Sequence, residues 1–235
     1  MMTGVRCYRS APQRCNYLPD RQATSIFIDP AYPLDSTLYS QLCAQGFRRS
    51  GRHVYRPDCP GCQACIPLRV DIRRHAASRS QRRVITHNTD LEIRQCPGTL
   101  NEEQFQLMQR YLAGQHPHGG MNQLSHQQCE DFLFTTGIVT RCAEFRLQGT
   151  LLAVAVSDVV DDGLSAVYTF YDPAYRARGL GTLAILHHID RCRREGRDWL
   201  YLGYWIKDSR KMNYKTGFRP CQLWDGQRWQ ETPDL

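Results

Sequence analysis

Residues 164–181 read LSAVYTFYDPAYRARGLG, and the fold turns on them. Val167, Tyr168, Thr169, Phe170 and Tyr171 are β-branched or aromatic and suit a pleated, partly buried surface. Asp172-Pro173 ends that strand, because proline has no N–H for a ladder and biases the residue before it away from helix. Arg176-x-x-Gly179-x-Gly181 follows. Leu180, Leu183, Ala184, Leu186, His187 and Ile189 then recur at helical spacing. A strand, a loop with glycines and arginines, and a helix start make an anion-binding device. The unpaired N–H groups and positive dipole end of the helix attract the anion, and glycine lets it approach the backbone. A plain strand-to-helix connection is the simpler reading of the same residues.

The flanks extend the pattern. Upstream, three strands are expected over 138–147, 151–160 and 164–171, joined by turns at Gln148-Gly149 and Asp161-Asp162-Gly163. Two helices are expected before them. The first covers 100–113, with Phe105, Leu107, Met108, Tyr111 and Leu112 at helical spacing, Asn101 as cap and Gly114 as stop. The second covers 125–134. Downstream come a strand at 199–205, a short helix at 209–216 and a hairpin turning at Asp225-Gly226. The N-terminal part alternates short elements: a strand at 25–28, a helix at 38–44 capped by Asp35 or Ser36 and closed by Gly46, strands at 53–56 and 66–72, a helix at 80–87 and a strand at 91–94.

Helices, a three-stranded meander, an anion loop, a helix, a strand and a terminal hairpin follow one another in the order of the GNAT superfamily. The loop resembles that superfamily's acyl-donor motif: Arg or Gln, two residues, Gly, any residue, Gly or Ala. The expected fold is α+β. A GNAT-like C-terminal domain would span 99–235, with a smaller cysteine-containing N-terminal domain over 1–98. LYSQLCAQGFRRSGRHVY (38–55) and MNYKTGFRPCQLWDGQRW (212–229) share a helix, Gly-Phe, strand order. Chance explains that echo, and so does a second, partial GNAT-like unit at the N-terminus.

A chain of 235 residues with 41% hydrophobic residues can bury a core. The net charge of +7 suits a nucleic-acid or phosphate partner. MMTGVRCYRS has no apolar signal-peptide core, and the longest apolar run, 151–156, is too short to span a bilayer. The expectation is a cytoplasmic chain with no membrane partner. Eleven cysteines, an odd number, in that setting point to metal or redox use over disulfides.

Cys59, Cys62 and Cys65 form C-x2-C-x2-C, a spacing that lets thiolates converge on one zinc ion or iron–sulfur cluster. Cys15 is the first choice of fourth ligand, with Cys7 or Cys43 behind it; buried, unligated thiols in a tight turn are the alternative. Cys96, Cys129, Cys142, Cys192 and Cys221 read as small core residues. His87, His116, His118, His126, His187 and His188 are scattered, and no nucleophilic triad or metalloprotease motif stands out. An enzyme built this way would transfer a group that is already activated, relying on positioning and oxyanion stabilisation. The basic stretch over 69–83, including Arg69, Arg79, Arg82 and Arg83, reads either as a phosphate track or as a solvated face.

Several segments together resemble the bacterial branch of the aminoacyl-tRNA–protein transferases, relatives of the eukaryotic arginyltransferases. They are CNYLPDR (15–21), FRRSG (47–51), YRP (55–57), the cysteine cluster with PLR (67–69), SQRR (80–83), EFR (144–146), SAVYTFYDP (165–173), LGT (180–182), YLGYWI (201–206) and KMNYK (211–215). The resemblance covers nearly the whole chain. It implies transfer of leucine from leucyl-tRNA to the α-amino group of proteins beginning with Asp or Glu, tagging them for N-degron degradation, with no cofactor needed for the transfer. Eukaryotic members carry a Cys-x-x-Cys near the N-terminus; here Leu18 stands where Cys15 would find its partner.

On this reading Arg69, Arg79, Arg82, Arg83, Arg176 and Arg178 contact tRNA, and Gly179 and Gly181 form the donor loop. Asp172 or Glu144 removes the amine proton, and Tyr171 or Tyr204 steadies the oxyanion. Lys211, Lys215 or Arg69 meets the acceptor's acidic side chain. The Arg-x-x-Gly-x-Gly loop would equally serve an acetyl-coenzyme A-dependent N-acetyltransferase. The cysteines and arginines would serve a zinc-stabilised nucleic-acid-binding regulator.

Overall fold

Gln148 and Gly149, expected as a turn, both adopt positive φ (48° and 87°) in the computed structural model, which describes residues 5–115, 123–134 and 137–231. That backbone matches the twist of the strands it joins. β9 (Thr140–Leu147) and β10 (Thr150–Val160) pair antiparallel around it. β10 turns at Asp161-Asp162 into β11 (Gly163–Tyr171). Successive side chains of β10 serve opposite faces. Val154 and Val156 pack under α3 (Glu102–Gln115) and α4 (His126–Leu133), while Ala153 and Ala155 pack under α5 (Leu180–Arg194). A strand covered on both faces is apolar throughout, which is why 151–156 carries no polar residue.

The other strands are β1 (Cys7–Arg9), β2 (Gln13–Arg14), β3 (Gln22–Ala23), β4 (Ser25–Ile28), β5 (Arg48–Ser50), β6 (His53–Pro57), β7 (Ile66–Asp71), β8 (Glu92–Cys96), β12 (Trp199–Trp205), β13 (Cys221–Trp224) and β14 (Trp229–Glu231). The remaining helices are α1 (Ser36–Ala44) and α2 (Arg79–His87). The main sheet has eight strands in the order β14-β13-β7-β12-β11-β10-β9-β8. Its parallel pair, β11 and β12, is joined through α5. A four-stranded sheet, β1-β4-β6-β5, and the β2-β3 pair stand apart from it. The meander, crossover helix and following strand make this half GNAT-like. Sheet hydrogen bonding crosses the expected 98/99 boundary: β7 lies between β13 and β12, and β8 pairs with β9.

Asp35 caps α1, its carboxylate accepting from the Leu38 N–H at 2.7 Å. Ser78 and Gln81 close a reciprocal capping box on α2, as Ser125 and Gln128 do on α4. α3 does not stop at Gly114. A Cβ there would stand 2.8 Å from Pro173 Cγ, so the glycine admits the loop after β11 against the helix instead of ending it. The helix expected at 209–216 is a 3-10 turn over Asn213–Gly217. In the echoed segments Gly46 is left-handed (φ +81°), a conformation not shared by Gly217.

Cys96 and Cys142, expected as separate core thiols in a chain without disulfides, are joined as a disulfide with Cα atoms 5.2 Å apart. Antiparallel pairing sets them directly opposite each other on β8 and β9, at bridging distance. They are 46 residues apart in the chain, so spacing alone did not pair them. His116 and His118 lie outside the described residues. Among those described, no helix is long and apolar enough to cross a membrane.

Candidate active site

β11 and β12 pair only from Gly163 to Ser165 against Trp199 to Tyr201, and then diverge. Diverging parallel strands open a crevice at their carboxyl ends, where ligands of α/β sheets gather. Here the crevice is a cavity of about 610 Å³. β12 bulges against β7 between Tyr201 and Gly203, and Gly203 is left-handed at φ +77°.

The loop over residues 172–179 forms one wall. Asp172 caps a 3-10 turn over Pro173–Arg178, its Oδ1 accepting from the Ala174 N–H at 3.0 Å. Gly179 is left-handed (φ +67°) and begins α5 with no side-chain cap. Gly179, Leu180, Gly181 and Thr182 therefore present an uncapped first turn to the cavity. Asn88, after α2, holds the loop in place by donating from Nδ2 to the Arg178 and Val84 carbonyls, both at 2.8 Å.

Four cationic side chains line the cavity: Arg48, Arg49, Arg176 and Lys215. No carboxylate or imidazole does so among the described residues. Arg49 is neutralised by Asp158, with both side chains 0% exposed and the guanidinium Nε 2.6 Å from Oδ2. Lys215, only 7% exposed, donates from Nζ to the Tyr204 carbonyl at 2.7 Å. Burial, and then the charge of Arg48, push its pKa down to about 7. Arg48 donates to the Ser165 hydroxyl at 2.8 Å and to the Tyr201 and Ala166 carbonyls, filling the point where the strands part.

The expected residues divide accordingly. Tyr171 and Tyr204 line the cavity. The Tyr204 hydroxyl donates to the Gly46 and Tyr55 carbonyls, at 3.2 and 3.1 Å, so its proton is already engaged. The Tyr171 hydroxyl has no hydrogen-bond partner among the described residues, and its ring packs edge-on against Tyr111. Asp172 and Glu144 do not line the cavity. Asp172 faces Arg110 at 3.4 Å. Glu144, on β9, accepts from Gln104 at 2.8 Å and Arg146 at 2.7 Å, which makes it part of the packing under α3.

Arg176 joins the cavity, while Arg79, Arg82, Arg83 and Arg178 line a shallower concavity beside it, of about 780 Å³. Arg178 also pairs with Asp90 at 2.9 Å. Arg69 belongs to neither. Its guanidinium lies 3.6 Å from the Trp199 ring centroid and 4.5 Å from that of Trp229, and it bonds Gln222. Such stacking holds the charge within the sheet. Lys211 is exposed and outside the cavity.

Cys15, Cys59, Cys62 and Cys65 gather beside the cavity. Burial, then the neighbouring thiols Cys59, Cys15 and Cys62, push the Cys65 thiol up to about 12. The Cys59 Sγ both accepts from the Thr24 N–H and donates to its carbonyl, at 3.4 Å each way. Among the described residues no three His, Cys, Asp or Glu side chains are placed to hold one metal ion. The expected zinc or iron–sulfur ligation by Cys15, Cys59, Cys62 and Cys65 finds no convergent ligand set among the described residues, and the Cys59 Sγ is engaged with the Thr24 backbone instead.

Arg48 and Arg49 carried no expected role beyond the motif they belong to. Their signal was adjacency in a strand: alternation sends one side chain to the parting of β11 and β12 and the other to Asp158.

Two family models match the chain: "Arginine-tRNA-protein transferase, N terminus" over residues 13–83 and "Arginine-tRNA-protein transferase, C terminus" over residues 103–225. An aspartate/glutamate leucyltransferase of Chromohalobacter salexigens is 47% identical over 96% of this chain and 92% of that protein. One from Pseudomonas fluorescens is 48% identical over 96% of each. Among solved structures, the C-terminal domain (DUF2156) of a protein from Agrobacterium fabrum described as a lysylphosphatidylglycerol synthetase aligns with a TM-score of 0.50 at 12% identity. It covers 83% of this chain and 62% of that one, a likeness of fold alone.

Proposed function

The chain belongs to the arginine-tRNA-protein transferase family, and on that premise we propose that it transfers leucine from leucyl-tRNA to the α-amino group of proteins beginning with Asp or Glu. The donor is an ester, already activated, so no covalent enzyme intermediate is required. The observation that carries this reading is the lining of the cavity: an uncapped helix start and cationic side chains, with no carboxylate among the described residues. Such a lining suits a donor bearing phosphate and an acceptor bearing a carboxylate. The terminal adenosine's phosphate sits at Gly179 to Thr182 beside Arg176. The body of the tRNA runs over Arg79, Arg82, Arg83 and Arg178. Charged tRNA and its protein acceptors meet in the cytoplasm, where the product enters N-degron degradation.

The acceptor amine must lose a proton before it attacks the ester carbon. Asp172 and Glu144 are occupied by arginines outside the cavity. Lys215, held near neutrality by burial and Arg48, is the base in reach. The attacking amine forms the new C–N bond and the carbonyl oxygen becomes an oxyanion. The Tyr171 hydroxyl, without a hydrogen-bond partner among the described residues, can donate to it. Collapse breaks the ester C–O bond, and the second amine proton leaves with the tRNA's terminal oxygen.

Incubation with radiolabelled leucyl-tRNA and peptides beginning with Asp, Glu or Ala tests this. Leucine should appear on the Asp and Glu peptides. Equal labelling of the Ala peptide, or no labelling at all, would overturn the proposal.

A further inference from the structure

We infer that Arg48 is the cation that binds the acceptor's side-chain carboxylate, and so sets the preference for acidic N-termini. The inference rests on the leucyl-transfer reading above and names a residue for the specificity it requires. Four cations line the cavity, and three have other work. Arg49 is paired with Asp158 and buried. Arg176 belongs to the donor loop. Lys215 gives its hydrogen bond to the Tyr204 carbonyl. Arg48 has no carboxylate partner among the described residues. Its known acceptors, the Ser165 hydroxyl and the Tyr201 and Ala166 carbonyls, orient the guanidinium without neutralising it.

A guanidinium has five N–H groups in a planar fork. Arg48 uses Nη1 and Nη2 toward β11 and β12, and its Nε–H has no partner among the described residues. Gly203 leaves that side open. A Cβ at 203 would lie 3.3 Å from Arg48 Nε and 3.7 Å from Nη2. The missing side chain at the left-handed Gly203 thus leaves room against the guanidinium, around its Nε, Cζ and Nη2 atoms, where a carboxylate can reach the unpartnered Nε–H. A half-buried, uncompensated charge gains most from a ligand of opposite sign, and an amide of the same shape cannot replace it.

The test compares peptides beginning with Asp and Asn, or Glu and Gln, as leucine acceptors. The unaltered enzyme should favour Asp over Asn by roughly 10- to 100-fold in kcat/KM. Arg48→Gln should bring that ratio close to one through a raised KM for the Asp peptide, with leucyl-tRNA affinity unchanged within about twofold. Gly203→Ala keeps the charge and crowds the fork, so it should lower the ratio in the same direction even if Arg48→Gln fails to fold. A folded form of either variant that keeps the full Asp-over-Asn preference would overturn the assignment. Absence of leucine transfer by the unaltered enzyme would instead contradict the transferase reading, and the assignment would fall with it.

Discussion

Lys215 shows how one buried side chain links stability and activity to pH. Its pKa falls from 10.5 to about 7 because burial penalises the ammonium and Arg48 repels it. Cys65 works weakly in the opposite direction. Between about 7 and 10.5 the unfolded chain keeps a proton that the folded chain has released, so stability should rise with pH across that window. Calorimetry of the native enzyme and Lys215→Met across it should show the slope in the first and its loss in the second. As the base, Lys215 must be neutral, so the rate should rise as pH passes about 7. Lys215→Met should lower kcat by roughly 10²- to 10⁴-fold and remove that limb of the profile. A variant with a normal limb would show that another group takes the proton. Arg49 and Asp158 carry a different prediction. Asp158→Ala leaves a guanidinium buried and unpaired between β5, β10 and the end of α4, and should cost roughly 3–5 kcal/mol in denaturant unfolding. Of the residues expected from the sequence, Tyr171, Tyr204 and Lys215 line the cavity, and Asp172 and Glu144 do not. Asp172 is engaged by Arg110 of α3, which the chain places far from it, while Glu144 is held by Arg146 of its own strand and by Gln104 of α3.

Among the elements, the loop between β11 and α5 was the most legible, because glycine spacing and Asp-Pro punctuate the chain locally. Its conformation follows from short-range chemistry: a capping aspartate, a 3-10 turn, a left-handed glycine and an uncapped helix. Gly179 bears two constraints at once. It sits at φ +67°, and a Cβ there would approach Val84 of α2 to 3.2 Å. Gly179→Ala should therefore destabilise the enzyme by about 1–2 kcal/mol. It should also raise the KM for leucyl-tRNA more than the KM for an Asp peptide. Equal changes in both would mean that the loop serves stability alone. The opening between β11 and β12 had no such local signature. It exists because pairing stops after Ser165 and Tyr201, because Gly203 bulges, and because Arg48 arrives from β5 in a different sheet. Only the tertiary arrangement brings those three features together.

At the scale of the whole molecule, the main sheet takes strands from both ends of the chain, so the cysteine-containing segment and the transferase half are stitched by β7 and β8. The alternation of helices and strands made the α+β class readable. The insertion of β7 between β12 and β13 was not, because register between distant strands has no local code. Basic side chains on α2 and the donor loop form a surface that runs into the cavity. Arg82→Ala with Arg83→Ala should weaken tRNA binding and flatten its dependence on salt by roughly one unit of slope per lost phosphate contact. An unchanged slope would place the tRNA elsewhere. Leucyl transfer itself is tested most directly by mass spectrometry of a peptide beginning with Asp, incubated with the enzyme, leucyl-tRNA and acetyl-coenzyme A together. The predicted product carries one leucine on its α-amino group and no acetyl group; an acetylated peptide without leucine would contradict it.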